Sequence, residues 1–167
     1  NAPRVVVTNG MVIPNYSKPD DWERMNALGV SQYGQMTAGS YMYIGPQGIV
    51  HGTTITVLNA ARKQMKKPGG PTDIHGMLFV SSGLGGMSGA QPKAGNIAGV
   101  VSIVAEINPL AAEKRHAQGW VDELHYSLDE LIPAVRKAMA EKRTVSMAYV
   151  GNVVDLWERL ADENMHV

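Results

Sequence analysis

The feature that most constrains this chain is a glycine-rich stretch directly after an apolar run. Residues 81–95 read SSGLGGMSGAQPKAG and follow the apolar residues 77–80. Glycine is used where the backbone needs a positive φ or must come close to a ligand. A strand that turns sharply into a helix also directs the unpaired amides of the helix start towards the turn. The stretch therefore predicts a strand, an anion-binding loop and a helix in succession.

The chain beyond this loop alternates runs typical of strands with runs typical of helices. Strands are predicted at 77–82, 99–106 and 144–149, with a short one near Val121, and helices at 91–98, 109–117, 127–142 and after Asn152. In the last helix, the apolar residues predicted to share a face are Val154, Leu156, Trp157 and Leu160. This alternation is typical of an α/β fold. We predict a Rossmann-like three-layer domain with a mostly parallel sheet and right-handed crossovers.

The first part of the chain has a different character. Helices are predicted from Pro19 to Gly29 and over 49–67, and the segment 67–72, KPGGPT, is the clearest break in the sequence. We predict a single domain over 1–167, in which 1–72 form a helical flank and 73–167 carry the strand–helix alternation.

Charge and composition exclude several function classes. Lys plus Arg and Asp plus Glu number 15 each, so the chain has no overall charge that favours nucleic acid or an anionic membrane. No apolar run is long enough for a membrane helix, and we expect a soluble chain. The absence of cysteine agrees with a reducing, cytoplasmic compartment. The five histidines are scattered, so we expect no metal site.

The loop resembles a dinucleotide-binding fingerprint, although imperfectly. In G-x-G-x-x-G counted from Gly83, the third glycine falls on Ser88, and Gly89 follows one position later. The second strand ends in Glu106, about twenty residues beyond the loop, where dinucleotide folds place the acid that binds the adenosine ribose. A carboxylate there repels a 2′-phosphate and favours NAD over NADP. A tight strand–helix turn and a solvated glutamate are the simpler alternatives, and no P-loop motif is present.

Longer matches point to one family. The segments YGQMTAGS at 33–40, YIGPQGIV at 43–50 and SGLGGMSGAQP at 82–92 closely resemble urocanase, also called urocanate hydratase, and EKRHAQGW at 113–120 resembles its eukaryotic-type branch. The resemblance implies a piece of a longer homodimeric enzyme, carrying its NAD-binding domain. Urocanases add water to urocanate in histidine degradation and release imidazolonepropionate, with tightly bound NAD⁺ acting as an electrophile.

The resemblance also implies roles for individual residues. Gln35 would contact NAD, Gly86, Met87 and Ser88 would wrap its diphosphate, and Glu106 would bind the adenosine ribose. Asn152 and Val153 would lie along the dinucleotide. Gly85 belongs to the same cofactor-binding loop and is counted with it, although, like Gly83, it is expected mainly to shape the turn.

The chain departs from the family pattern at two positions. Ser88 stands where bacterial members carry a third glycine, and Ala111 stands where many members place an arginine near the ribose. Lys114 or Arg115 is a candidate substitute for that charge. The cysteine associated with the family's active site and its Q-T-S-x-H segment lie outside this chain, so no catalytic residue is assigned to it.

Two other functions stay open from the residues themselves. An NAD-dependent dehydrogenase domain would normally place an acid–base histidine near the nicotinamide, and no motif places one here. A non-catalytic dinucleotide-binding module is the second alternative. Asn152 has a structural alternative as a helix N-cap, and Gln35 as a structural amide in a glycine-rich loop.

Overall fold

The computed structural model describes residues 18–28 and 46–165 and separates the chain into two compact units, Asn1–Ile44 and Gly45–Val167. This division differs from the single domain predicted over 1–167. In the first unit, helix α1 spans Pro19–Ala27, as the sequence predicts, with Asp20 and Asp21 in its first turn. Carboxylates there interact favourably with the positive end of the helix dipole.

The second unit is an alternation of helices and strands. In chain order, its elements are α2 (Pro46–Met65), β1 (Leu78–Ser82), a 3₁₀ turn (Ser88–Ala90), α3 (Gln91–Ala98), β2 (Val101–Glu106), α4 (Pro109–Ala117), β3 (Glu123–His125), α5 (Leu128–Ala140), β4 (Val145–Val150) and α6 (Val153–Asp162). Helix α2 belongs to this unit, and the sequence break at 67–72 lies in the connection from α2 to β1.

The four strands found within residues 46–165 pair in parallel, in the order β1-β2-β4-β3. The predicted Rossmann-like α/β architecture is therefore confirmed. The central strands β2 and β4 are buried along almost their whole length, because helices cover both faces of a parallel sheet.

Helices α5 and α6 cover one face of the sheet. Leu131 and Val135 of α5 and Leu156 of α6 are fully buried against alternate residues of β2 and β4, such as Ile103 and Met147. The opposite face packs in two clusters, with Ala112 of α4 against Val104 and Val57 of α2 against Val100. The sheet thus lies between two helical layers.

The predicted apolar face of α6 is partly wrong. Leu156 and Leu160 are buried, but Val154 is 48% exposed and Trp157 is 55% exposed. The half-buried Val153 packs against the core instead. The inward face therefore follows the 153, 156, 160 spacing, one residue out of phase with Val154 and Trp157.

Candidate functional site

A crevice opens at the carboxyl edge of the sheet, between β2 and β4. The helices after β1 and β2 lie on one face, whereas α6 after β4 lies on the other. This reversal is the topological switch point where open α/β sheets bind ligands. A cavity of about 370 Å³ lies there, lined by Ser82, Gly83, Ala105, Glu106, Ile107, Gly151, Asn152 and Val153.

The glycine loop, residues 83–89, turns β1 into the 3₁₀ turn and α3. Gly83 has φ +86°, and a β-carbon added there would lie 2.8 Å from Ser88 Oγ, so a larger residue at 83 would be strained and crowded. Leu84 is buried, whereas Gly85 and Met87 are exposed. The loop therefore presents backbone rather than packed side chains at the strand end.

The backbone amides of this loop divide into paired and unpaired groups. Gly83 N donates to Ala105 O at 2.7 Å and Gly89 N donates to Gly85 O at 3.0 Å. Within 46–165, the amides of Gly85, Gly86, Met87 and Ser88 have no protein acceptor. Successive free amides that lead into a helix can bind an anion.

The carboxylate of Glu106 ties the loop to the end of β2. Its Oε2 accepts from Leu84 N at 2.6 Å and its Oε1 accepts from Asn108 N at 2.8 Å. Each carboxylate oxygen keeps a further lone pair, and the side chain also lines the crevice. The geometry places Glu106 beside the loop, as the sequence leads us to expect, and adds a structural role.

Asn152 and Val153 line the crevice from the β4 side. Asn152 Oδ1 accepts from Val154 N at 3.0 Å and caps α6, so the structural alternative for this residue is correct. Its side-chain NH₂ has no acceptor in the described part of the chain, and the residue is exposed.

Gly151 N donates to Glu106 O at 3.0 Å, which holds the ends of β2 and β4 together. Gln35 lies outside the described residues.

Arg115 is a part of this site whose role the sequence does not indicate. Its guanidinium, carried by α4, donates to Leu84 O at 3.0 Å and Gly85 O at 2.9 Å. The expectation that Arg115 replaces the family arginine at Ala111 is therefore not supported, because its donors are directed to the loop. Ala112 is buried against the sheet, and residues 112 and 115 share a face of α4, which directs Arg115 towards the loop.

A larger groove, of about 610 Å³, lies between α2, α3 and Trp120. Apolar side chains such as Val50, Ile55 and Ile97 contribute most of its lining. None of its lining residues belongs to the glycine loop or to the ends of β1, β2 and β4. The polar groups suited to an anionic ligand are concentrated at the smaller crevice.

The parallel sheet, the glycine loop and the switch-point crevice define the class of Rossmann-like α/β domains. Comparison with protein families makes the assignment specific. Residues 45–167 match the model of the Urocanase Rossmann-like domain, and residues 1–42 match that of the Urocanase N-terminal domain. The chain belongs to the urocanase family, which confirms the resemblance seen in the sequence. Its first 42 residues match a domain of their own.

Individual relatives agree with this membership. The chain is 62% identical over 163 residues to a probable urocanate hydratase of Dictyostelium discoideum, and 58% identical over 163 residues to the urocanate hydratase of Homo sapiens. Both alignments cover 98% of this chain and 24% of the relative. The mouse urocanate hydratase is 57% identical over 162 residues, which are 97% of this chain and 23% of that protein. The chain thus spans about a quarter of the length of these relatives.

Proposed function

We propose that this chain is the NAD-binding part of a urocanate hydratase, a hydro-lyase that adds water to urocanate and yields imidazolonepropionate in histidine degradation. Relatives named urocanate hydratase, at 57–62% identity over nearly the whole chain, support the enzyme class. We also propose that the whole enzyme is a cytoplasmic homodimer without nucleic-acid or membrane partners. No helix among the described residues is long and apolar enough to cross a bilayer.

The crevice and its loop fit a dinucleotide. The free amides of Gly86, Met87 and Ser88 would hold the diphosphate, and Glu106 would bind the adenosine ribose. Asn152 and Val153 would lie along the dinucleotide on the β4 side, and Gln35 would contact it, as the resemblance to the family implies. When bound, NAD⁺ supplies an electrophilic nicotinamide ring.

The observation that carries this proposal is the set of successive free amides beside a carboxylate at the switch point. The amides attract a diphosphate, whereas the carboxylate accepts ribose hydroxyls and disfavours a 2′-phosphate. This combination supports NAD over NADP. No histidine lines the crevice among the described residues, whereas a dehydrogenase would normally place an acid–base histidine near the nicotinamide.

Gly85 offers the sharpest test of the cofactor. A β-carbon added at Gly85 would meet only Ser88 Oγ, at 4.0 Å, so the fold itself can accommodate a side chain there. A bound diphosphate, in contrast, would collide with that side chain. We expect Gly85→Ala to weaken NAD⁺ binding and Gly85→Val to weaken it at least about tenfold, measured by calorimetry on the chain. The thermal midpoint should stay near that of the wild type.

Gly85→Ala and Gly85→Val control for each other, since both replace the same glycine and differ only in the size of the added side chain. NAD recovered with the purified wild-type chain would support the proposal directly. A Gly85→Val chain that keeps its thermal midpoint and binds NAD⁺ as tightly as the wild type would show that the loop does not hold the diphosphate.

A further inference from the structure

Arg115 makes an unusual set of contacts for a partly exposed arginine. Its Nε and one terminal nitrogen donate to two consecutive backbone carbonyls, Leu84 O and Gly85 O, and its other terminal nitrogen donates to Gln118 Oε1 at 2.9 Å. Gly89 makes room for this side chain, because a β-carbon there would lie 2.5 Å from Arg115 Nε. The last glycine of the loop thus accommodates the arginine.

These contacts fix the direction of the neighbouring amides. In a trans peptide, C=O and N–H point in opposite directions across a rigid plane. The carbonyls of Leu84 and Gly85 point to Arg115 on α4, so the N–H groups of Gly85 and Gly86 point away from α4. On the other side of residue 84, Glu106 holds the Leu84 N–H. Both ends of the turn are therefore fixed by side chains.

Among the described residues, Arg115 also forms no ion pair with a carboxylate. Arg136, Arg143 and Arg159 each pair with a carboxylate at 2.7 to 3.0 Å. Within the described residues, the donors of Arg115 contact only neutral oxygens. A partly buried cation directly against the loop adds a positive potential where the free amides lie, and burial reduces its screening.

We propose that Arg115 is a positioning residue for the diphosphate cradle: it holds the glycine loop so that the amides of Gly85 and Gly86 face the ligand, and it supplies an unpaired positive charge beside them. This inference rests on the proposed NAD-binding function. Arg115 acts through the loop and through its field, without a direct contact to the cofactor.

The test compares Arg115→Gln and Arg115→Lys with Arg143→Gln in the full chain. Arg143 is the matched control, because it is a surface arginine that precedes β4 and so lies at the amino ends of the strands, away from the glycine loop. Amide hydrogen exchange is followed at Leu84 and Gly89 in the loop and at Met147 in the core. Calorimetry then gives the affinities for ADP-ribose, which carries the diphosphate, and for adenosine, which does not.

In Arg115→Gln, we expect exchange at Leu84 and Gly89 to rise at least about tenfold relative to Met147. We expect ADP-ribose affinity to fall by at least about tenfold and adenosine affinity to stay unchanged. Arg115→Lys keeps the positive charge but loses the planar guanidinium that donates to two carbonyls at once. Its ADP-ribose affinity should therefore lie between those of the wild type and Arg115→Gln. Arg143→Gln should change neither measurement.

A loop-to-core exchange ratio equal to that of the wild type would overturn the inference. A uniform rise at all three amides would do so too, since it would make Arg115 a global stabiliser. If the wild-type chain bound neither NAD⁺ nor ADP-ribose, the proposed function would fail separately, and the exchange ratio would still decide whether Arg115 positions the loop. If Arg115→Gln does not fold, the same ratio is measured in Arg115→Lys.

Discussion

Gly83 and Gly52 differ in what an added methyl group would meet. At Gly83, φ is +86° and Ser88 Oγ lies 2.8 Å from the new carbon, whereas at Gly52, inside α2, no atom lies within 4 Å. We expect Gly83→Ala to lower the free energy of unfolding by about 1 to 2 kcal/mol. Gly52→Ala should raise it by about 0.5 to 1 kcal/mol, because alanine favours helix.

Urea unfolding of the two alanine variants measures both changes. A second substitution, Ser88→Ala, removes the contact with Ser88 Oγ and should recover only part of the Gly83→Ala loss, since the backbone strain stays. Equal stabilities for Gly83→Ala and Gly52→Ala would contradict this account of the turn.

The residues of the site were not equally predictable. Glu106 follows from its place at the end of a strand beyond a glycine loop, and Asn152 follows from its ability to cap a helix. The contact of Arg115 with Leu84 O and Gly85 O depends on how α4 packs beside the loop. Tertiary packing sets that distance, and no local pattern of the sequence encodes it.

Among the elements, α3, β4 and the connection before β3 are joined through one carboxylate. Asp122 Oδ2 accepts from Ser146 N and Ser146 Oγ, both at 2.8 Å, and from Asn96 Nδ2 at 2.7 Å. Burial opposes the charged form of Asp122, but these hydrogen bonds outweigh it and hold the pKa below the ordinary 3.8. The folded state therefore binds this proton less readily than the unfolded state.

The stabilisation from Asp122 is present above the unfolded pKa and is lost as the pH falls through the lower folded pKa. We expect Asp122→Asn to cost about 1 kcal/mol at neutral pH, the lower end for a charged hydrogen bond because the group is partly exposed. The variant should also lose less stability than the wild type between about pH 5 and pH 2.

Denaturant unfolding at several pH values measures this difference. Asp162→Asn, at the exposed end of α6, is the control and should follow the wild-type profile. Parallel acid profiles for Asp122→Asn and the wild type would refute the role given to Asp122.

The elements themselves were predicted well, because glycine, capping residues and apolar runs mark their ends. The face of α6 was not. Apolar residues at 153, 154, 156, 157 and 160 span about 160° of the helix circumference, which is wider than the stripe of about 100° that usually faces a core, so the sequence allows two phases. Packing against β2 and β4 selects the phase that buries Leu156 and Leu160 and leaves Trp157 exposed.

For the whole molecule, the alternation after residue 76 was enough to predict a parallel α/β fold. The division between 1–44 and 45–167 was not predicted, since no strong compositional break lies there and the clearer break at 67–72 is only a connection from α2 to β1. Composition marks loops, whereas domain boundaries depend on which contacts the folded chain makes.

We expect the isolated chain to fold but not to hydrate urocanate, because family residues of the substrate pocket are absent from its sequence. It should also bind NAD⁺ more weakly than the intact enzyme, since the chain spans about a quarter of the length of its relatives and lacks any contacts that the remaining part would add. Ultraviolet absorbance of urocanate, followed after addition of the chain and NAD⁺, should stay constant, with a full-length urocanate hydratase as the positive control. Loss of the absorbance band with the chain alone would contradict this expectation.

Two hydrogen bonds fix Leu84: its amide donates to Glu106, and its carbonyl accepts from Arg115. These bonds have a consequence for the kinetics of anion binding. A loop that is already ordered loses little conformational entropy when an anion arrives. Binding of the anion should therefore show a single fast phase, limited by diffusion to the loop. The lifetime of the complex should depend on the contacts between anion and loop that break on dissociation, and not on unfolding of the turn.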